Sequence, residues 1–305
     1  MILRILYLFL GWVAAVHAQP VAVSESGDAA VAEAFAAART LEREHKYGEA
    51  RAAFQRVIAL APTHAEANCS LALYAADAGE WEKALQYAGR ALVADPDKAR
   101  HQYVWGAANG VAALKSGLLS RLGYAKKCLA AYRRAVELEP DTLKYRWALL
   151  SYYLQAPGFA GGSSARAREQ AAEMQRRDAA QGRQAFVQIH LHEKHPEQAF
   201  ALFEEVLRVA PDDYVALYQF GSLALQAGQR LDDGAAAFQH CLELAPPAGL
   251  DVPTHANVHW RLGHYWEKKQ EQARARAEYE LALQADPGFQ PAQKALEKLG
   301  PPPAG

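Results

Sequence analysis

The sequence predicts an all-α fold: a solenoid of about seven helical hairpins closed by a C-terminal capping helix. Three observations lead there. First, residues 256–287 read His259-x2-Leu262-Gly263-x2-Trp266, then Ala275-x3-Tyr279, Ala282 and Asp286-Pro287. Spacings of three, four and seven place the first set on one stripe of a helix and the second set on one stripe of another, so the two stripes face each other. Second, the tail of this unit recurs. A small residue, a bulky residue four further on and a proline eight beyond that gives Ala50, Phe54, Pro62; Cys128, Tyr132, Pro140; Ala199, Phe203, Pro211; Gly234, Phe238, Pro246; and Ala275, Tyr279, Pro287. Ala84, Ala88, Pro96 is a weaker copy, and Ala167, Ala171, Ala179 has lost both the aromatic and the proline. Third, apolar residues are 51% of the chain and net charge is −1, with both signs interspersed. That is ample material for a helical core, and it excludes the basic footprint of a nucleic-acid binder.

Taken in order, the chain begins with Arg4, an apolar run from Ile5 to Val16 and small residues in Val16-His17-Ala18. This has the form of a secretory signal peptide, residues 1–18, cut after Ala18. The run is too short for a stable membrane span, and no cysteine follows it for lipidation. A periplasmic or secreted location is expected. Residues 19–27 form a polar lead, and 28–299 the solenoid.

The hairpins are expected near 28–62, 63–96, 97–140, 141–179, 180–211, 212–246 and 254–287, with a cap at 289–299 and a disordered Pro-rich tail at 300–305. Pro62 and Pro96 lie 34 residues apart, whereas Pro96 to Pro140 is 44. The surplus is expected as a longer hairpin around Leu114 to Gly123, where Leu118, Leu119 and Leu122 need cover. The fourth unit carries a long connection, Ala156 to Ser164, read as a flexible loop with Ser163 or Ser164 capping the next helix. Amphipathic 289–299 closes the open end of the stack. The whole is expected to be one domain, because a repeat core grows lengthwise.

These offsets of large and small residues resemble the tetratricopeptide repeat, a 34-residue helical hairpin, here of an exported bacterial type. The resemblance implies a non-enzymatic protein–protein interaction scaffold of the cell envelope. Its ligand, a peptide or protein segment, would lie in the concave groove lined by the first helix of each hairpin. Carried onto this sequence, the groove residues are Phe35, Arg39, Tyr103, Arg146, Gln184, Gln188, Tyr218, Ser222, Asn257, Trp260 and His264. A subset of the family clamps a C-terminal carboxylate with lysines and asparagines. The equivalent positions here are mostly aromatic, Gln or small, with Arg146 the main basic candidate, so that reading is disfavoured. An alternative is a glycan- or small-ligand-binding protein of envelope polysaccharide assembly, using groove aromatics to stack on sugars.

No cofactor or metal is expected. His255 with His259, and His190, His192 and His195, form the densest clusters among 11 histidines. Neither adds a Cys or a second ligand motif, and His190 and His192 point apart on a helix. Cys69, Cys128 and Cys241 fit small buried positions better than disulfides. The glycines of 158–164 follow a helix rather than a strand and precede no Lys, which disfavours a nucleotide loop. No catalytic constellation stands out.

Overall fold

The computed structural model describes residues 25–248 and 252–300. The expected signal peptide, residues 249–251 and the tail from 301 lie outside the described residues, as do the side chains of Leu118 and Leu119. Among the described residues there are fifteen α-helices and no strand. The fold is an all-α solenoid of helical hairpins. The chain divides into two compact units between Lys115 and Ser116, where one continuous domain is expected from the sequence.

The first unit contains α1 (Glu25–Arg43), α2 (Tyr47–Leu60), α3 (Ala65–Asp77), α4 (Trp81–Ala94) and α5 (Ala99–Lys115). The second contains α6 (Leu118–Leu138), α7 (Leu143–Gln155), α8 (Ser164–Arg177), α9 (Ala179–His192), α10 (Pro196–Val209), α11 (Tyr214–Ala227), α12 (Leu231–Glu243), α13 (His255–Lys268), α14 (Gln272–Ala285) and α15 (Gln290–Leu299). Helix α1 reaches back into the stretch read as polar lead. The surplus of the third repeat does not make a long loop. It lengthens the helices, for α5 has 17 residues and α6 has 21, and only Ser116 and Gly117 separate them.

Helix starts follow the local chemistry. Asp213 accepts from Ala216 N at 3.0 Å, Ser163 from Arg166 N at 3.3 Å, and Thr254 and Asn257 form a capping box. Asp178 serves two helices. Its N–H closes α8 on Met174 O and its carboxylate accepts from Gln181 N at 3.0 Å to open α9, with no other residue between the two helices. A different device repeats before α3, α5, α7 and α15. A side chain six residues past the repeat proline donates back to that proline's carbonyl: Asn68 to Pro62 (2.9 Å), Gln102 to Pro96 (2.6 Å), Arg146 to Pro140 (2.7 Å) and Gln293 to Pro287 (3.1 Å). The carbonyl at each entry turn, which has no helical partner, is satisfied this way.

The short turn within a hairpin needs a left-handed residue. Gly79 (φ 72°) and Gly228 (φ 67°) supply it without a Cβ clash, while His45, Lys194 and Gln270 adopt φ of 59° to 62° with a side chain in place. The connection at 156–163 is no loose loop. Residues Gly158–Ala160 form a single 3-10 turn, Gly162 N donates to Pro157 O at 3.1 Å, and the Tyr152 hydroxyl lies between two carbonyl acceptors, Ala160 O at 2.8 Å and Ala125 O at 2.9 Å, which share its one proton.

Packing follows the small–large pattern. In the first unit Phe54 is fully buried among Ala38, Ala50, Val57, Ala67 and Leu71, and the α3, α4 and α5 faces meet almost entirely through alanines with Cys69 and Val104. In the second, Phe238 fills the space above Gly221 and Tyr279 that above Gly263; a Cβ on Gly263 would stand 2.2 Å from the Tyr279 ring. Each such ring is worth about 1.5–3 kcal/mol of burial. The fourth hairpin reverses the arrangement: Leu149, Leu150 and Tyr153 of α7 provide the bulk, and Ala167 and Ala171 of α8 stay small.

Candidate functional site

Helices α9, α11, α13 and α15 line one face of the second unit and enclose an open cavity of about 730 Å³. Gln184 comes from α9; Ser222, Leu225 and Gln226 from α11; Arg261, His264, Glu267 and Lys268 from α13; and Lys298 from α15. A smaller cavity of about 200 Å³ shares Gln184, Ser222, Gln226 and Arg261 and adds Tyr218, Gln219, Val187, Leu223 and Phe203. Ridges of buried apolar residues on the opposite helix faces, Ala224, Leu262 and Tyr265 among them, anchor these helices in the core. The polar residues are thereby left on the free face.

The chemistry of this face is uneven. Gln219 Oε1 and Ser222 Oγ are buried with no hydrogen-bond partner among the described residues, a cost a bound donor or acceptor would relieve. Arg261 donates from Nε to the Tyr218 hydroxyl at 3.3 Å, and its guanidinium lies 4.6 Å from the centre of the Trp260 ring. No carboxylate pairs with Arg261, Lys268 or Lys298 among the described residues. The lining carboxylate, Glu267, is taken: His264 Nδ1 lies 3.0 Å from Glu267 Oε2 and 3.2 Å from the Tyr279 hydroxyl. Burial, with Glu267 beside it, holds the Tyr279 phenol well above its ordinary pKa, so it stays a neutral donor.

The residues expected to line a groove distribute unequally. Gln184, Ser222 and His264 line the larger cavity, and Tyr218 the smaller. Gln188 is half-buried on α9 and lines neither. Asn257 is spent in the capping box of α13, its Oδ1 accepting from Thr254 N at 2.9 Å. Trp260 turns to the capping helix, its ring 6.1 Å from Phe289, and packs with Ala292 and Ala295. Arg146 is corrected outright: it is 5% exposed, held by Pro140 O and Gln170 Oε1, and presents nothing to a ligand. In the first unit Phe35 packs on Phe54 and His64, Arg39 pairs with Glu42, and Tyr103 is half-buried against the core around Val104.

Sequence reasoning misses Arg261, Gln226, Lys268 and Lys298. Of the clustered histidines, His255 Nε2 is engaged with Leu244 O at 2.9 Å and His259 Nδ1 with Glu278 at 2.8 Å, whereas His190 Nδ1 is buried with no hydrogen-bond partner among the described residues. No group of three or more His, Cys, Asp or Glu gathers at metal-ligand spacing among the described residues.

Models of the tetratricopeptide repeat match residues 35–99 and 112–142. The chain is a tetratricopeptide repeat protein. A tetratricopeptide repeat protein from Parabacteroides merdae ATCC 43184 is similar to it in structure, with a TM-score of 0.51 and 12% identity over 88% of this chain and 98% of its own. A thermophilic tetratricopeptide repeat protein from Thermus thermophilus gives 0.51 and 18% over 64% and 99%. At these identities the likeness is one of fold. No curated protein matches the sequence. Tetratricopeptide repeat domains bind proteins or peptides and are in general scaffolds without catalysis. No described helix of this repeat protein is long and apolar enough to cross a membrane.

Proposed function

We propose that the second unit is the recognition module of an exported adaptor, taking an extended segment of an envelope protein across α9, α11, α13 and α15. The observation that carries this reading is the 730 Å³ cavity on alternate helices, together with the buried, unpaired Gln219 Oε1 and Ser222 Oγ at its smaller neighbour. A preformed groove costs little ordering on the receptor side. Amide and hydroxyl groups in it suit the main chain of a peptide, which needs donors and acceptors at intervals. The glycan alternative has less to stand on, because Trp260 is covered by Arg261 and Phe289, and Tyr218 is edged by Phe238. The envelope location rests on the sequence before Gln19.

Cross-linked capture from the envelope fraction tests the reading. Gln184→Ala with Arg261→Ala should reduce capture several-fold while circular dichroism stays unchanged. Equal capture by the double variant would remove the groove from the mechanism.

A further inference from the structure

Three cations stand on the rim of the larger cavity, Arg261, Lys268 and Lys298, against one carboxylate, and that carboxylate is engaged by His264. Other clustered cations of this chain have carboxylates beside them. In the first unit Lys98 and Arg100 share Glu66 at 2.5 and 3.0 Å, and Arg51 and Lys83 share Glu80 at 2.9 and 2.8 Å. A cluster of like charges left without counter-charge disfavours its own state and attracts a complementary partner. From this, and resting on the peptide reading above, we infer that the segment recognised by the second unit carries at least two acidic side chains, held by Arg261, Lys268 and Lys298.

The spacing argues for more than one acid. Arg261 and Lys268 are seven residues apart on α13, which at the α-helical rise separates them by roughly 10 Å along the axis. With both side chains extended into the cavity, each cation is best met by a carboxylate of its own. Two carboxylates about two to four residues apart on an extended chain span such a distance. Lys298 approaches the same cavity from the capping helix, so the cap takes part in selecting the ligand. Gln184, Gln226 and Ser222 are left for the main chain. Acids spread along the segment as side chains answer three cations from two helices better than one terminal carboxylate does.

The test is a selection on the mature protein from a random peptide library displayed without free C-termini, followed by affinity measurement on the selected peptides. Peptides carrying a pair of Asp or Glu residues should be enriched. Changing both acids to amides should weaken binding on the order of tenfold or more, Lys268→Glu with Lys298→Glu in the protein should do the same, and rising salt should weaken the wild-type complex. Both lysines are exposed, so this double variant should fold, and its circular dichroism checks that. Peptides that depend on Gln184 and Arg261 but lack acids, or whose affinity ignores the lysine reversals, overturn the inference and leave the peptide reading standing. Failure to select any peptide that depends on the groove overturns both, as does lysine-dependent binding of an anionic polysaccharide, tested alongside, when no peptide binds.

Discussion

The fourth and seventh hairpins fill the same gap from opposite sides. In the seventh, α13 contributes Gly263 and α14 contributes Tyr279, whose ring lies where a Cβ would be. In the fourth, Leu150 stands at the position of Gly263 and Ala171 at that of Tyr279, both within 1% of full burial. The comparison teaches that the repeat specifies the volume between its helices, not the residue at each end of it. Interiors are close-packed, so a bulky group on one side requires a small one on the other.

The pair can be broken. Tyr279→Ala should cost about 3–5 kcal/mol, because it leaves a ring-sized void next to a glycine that cannot fill it; chemical denaturation followed by circular dichroism measures this. Gly263→Ala should cost about 1–3 kcal/mol by forcing a methyl into the same ring. Rebuilding the fourth hairpin's arrangement in the seventh, Gly263→Leu with Tyr279→Ala, should recover part of the loss, with a coupling energy of about 1 kcal/mol or more. Strictly additive costs would mean that the two hairpins do not share a packing rule.

Turn chemistry sharpens the contrast on a smaller scale. Gln270 holds the left-handed conformation that Gly228 adopts freely one repeat earlier. Gln270→Gly should therefore stabilise by about 0.5–1 kcal/mol, the relieved strain exceeding the extra entropy of the unfolded chain. Smallest of all should be thiol labelling of the native protein. Burial pushes the Cys128 and Cys241 thiols up to about 12 and Cys69 to about 11, so reaction with iodoacetamide at neutral pH should be slow until the helices open. Rapid labelling of Cys128 but not Cys241 would mean that the packing around α6 is looser than that around α12.

Much of this is legible in the sequence. The alternation of small and bulky residues with a following proline is a direct statement of how one helix meets the next, and it names the buried set Ala275, Tyr279 and Ala282 without coordinates. The fourth hairpin reads only as a worn copy, since its bulk sits on α7 whereas the recurring pattern places bulk on the second helix. Arg146 shows a second gap: a guanidinium on the first helix of a repeat looks like a ligand group until the repeated donor six residues past the proline is noticed. Gln184, Tyr218, Ser222 and His264 follow from helix position. Arg261, Lys268 and Lys298 do not, because a charged residue on a helix reads as solvated surface until its missing counter-charge can be seen in three dimensions.

The joint at Asp178 sets limits on how this protein can be altered. With one residue closing α8 and opening α9, there is no spare backbone to absorb an added amino acid. Lengthening the chain there by one residue rotates everything downstream by about 100° relative to the preceding helix. Reporter domains or epitope tags spliced at that point should disrupt the array, whereas the proline-rich stretch beginning at Pro246 should take them.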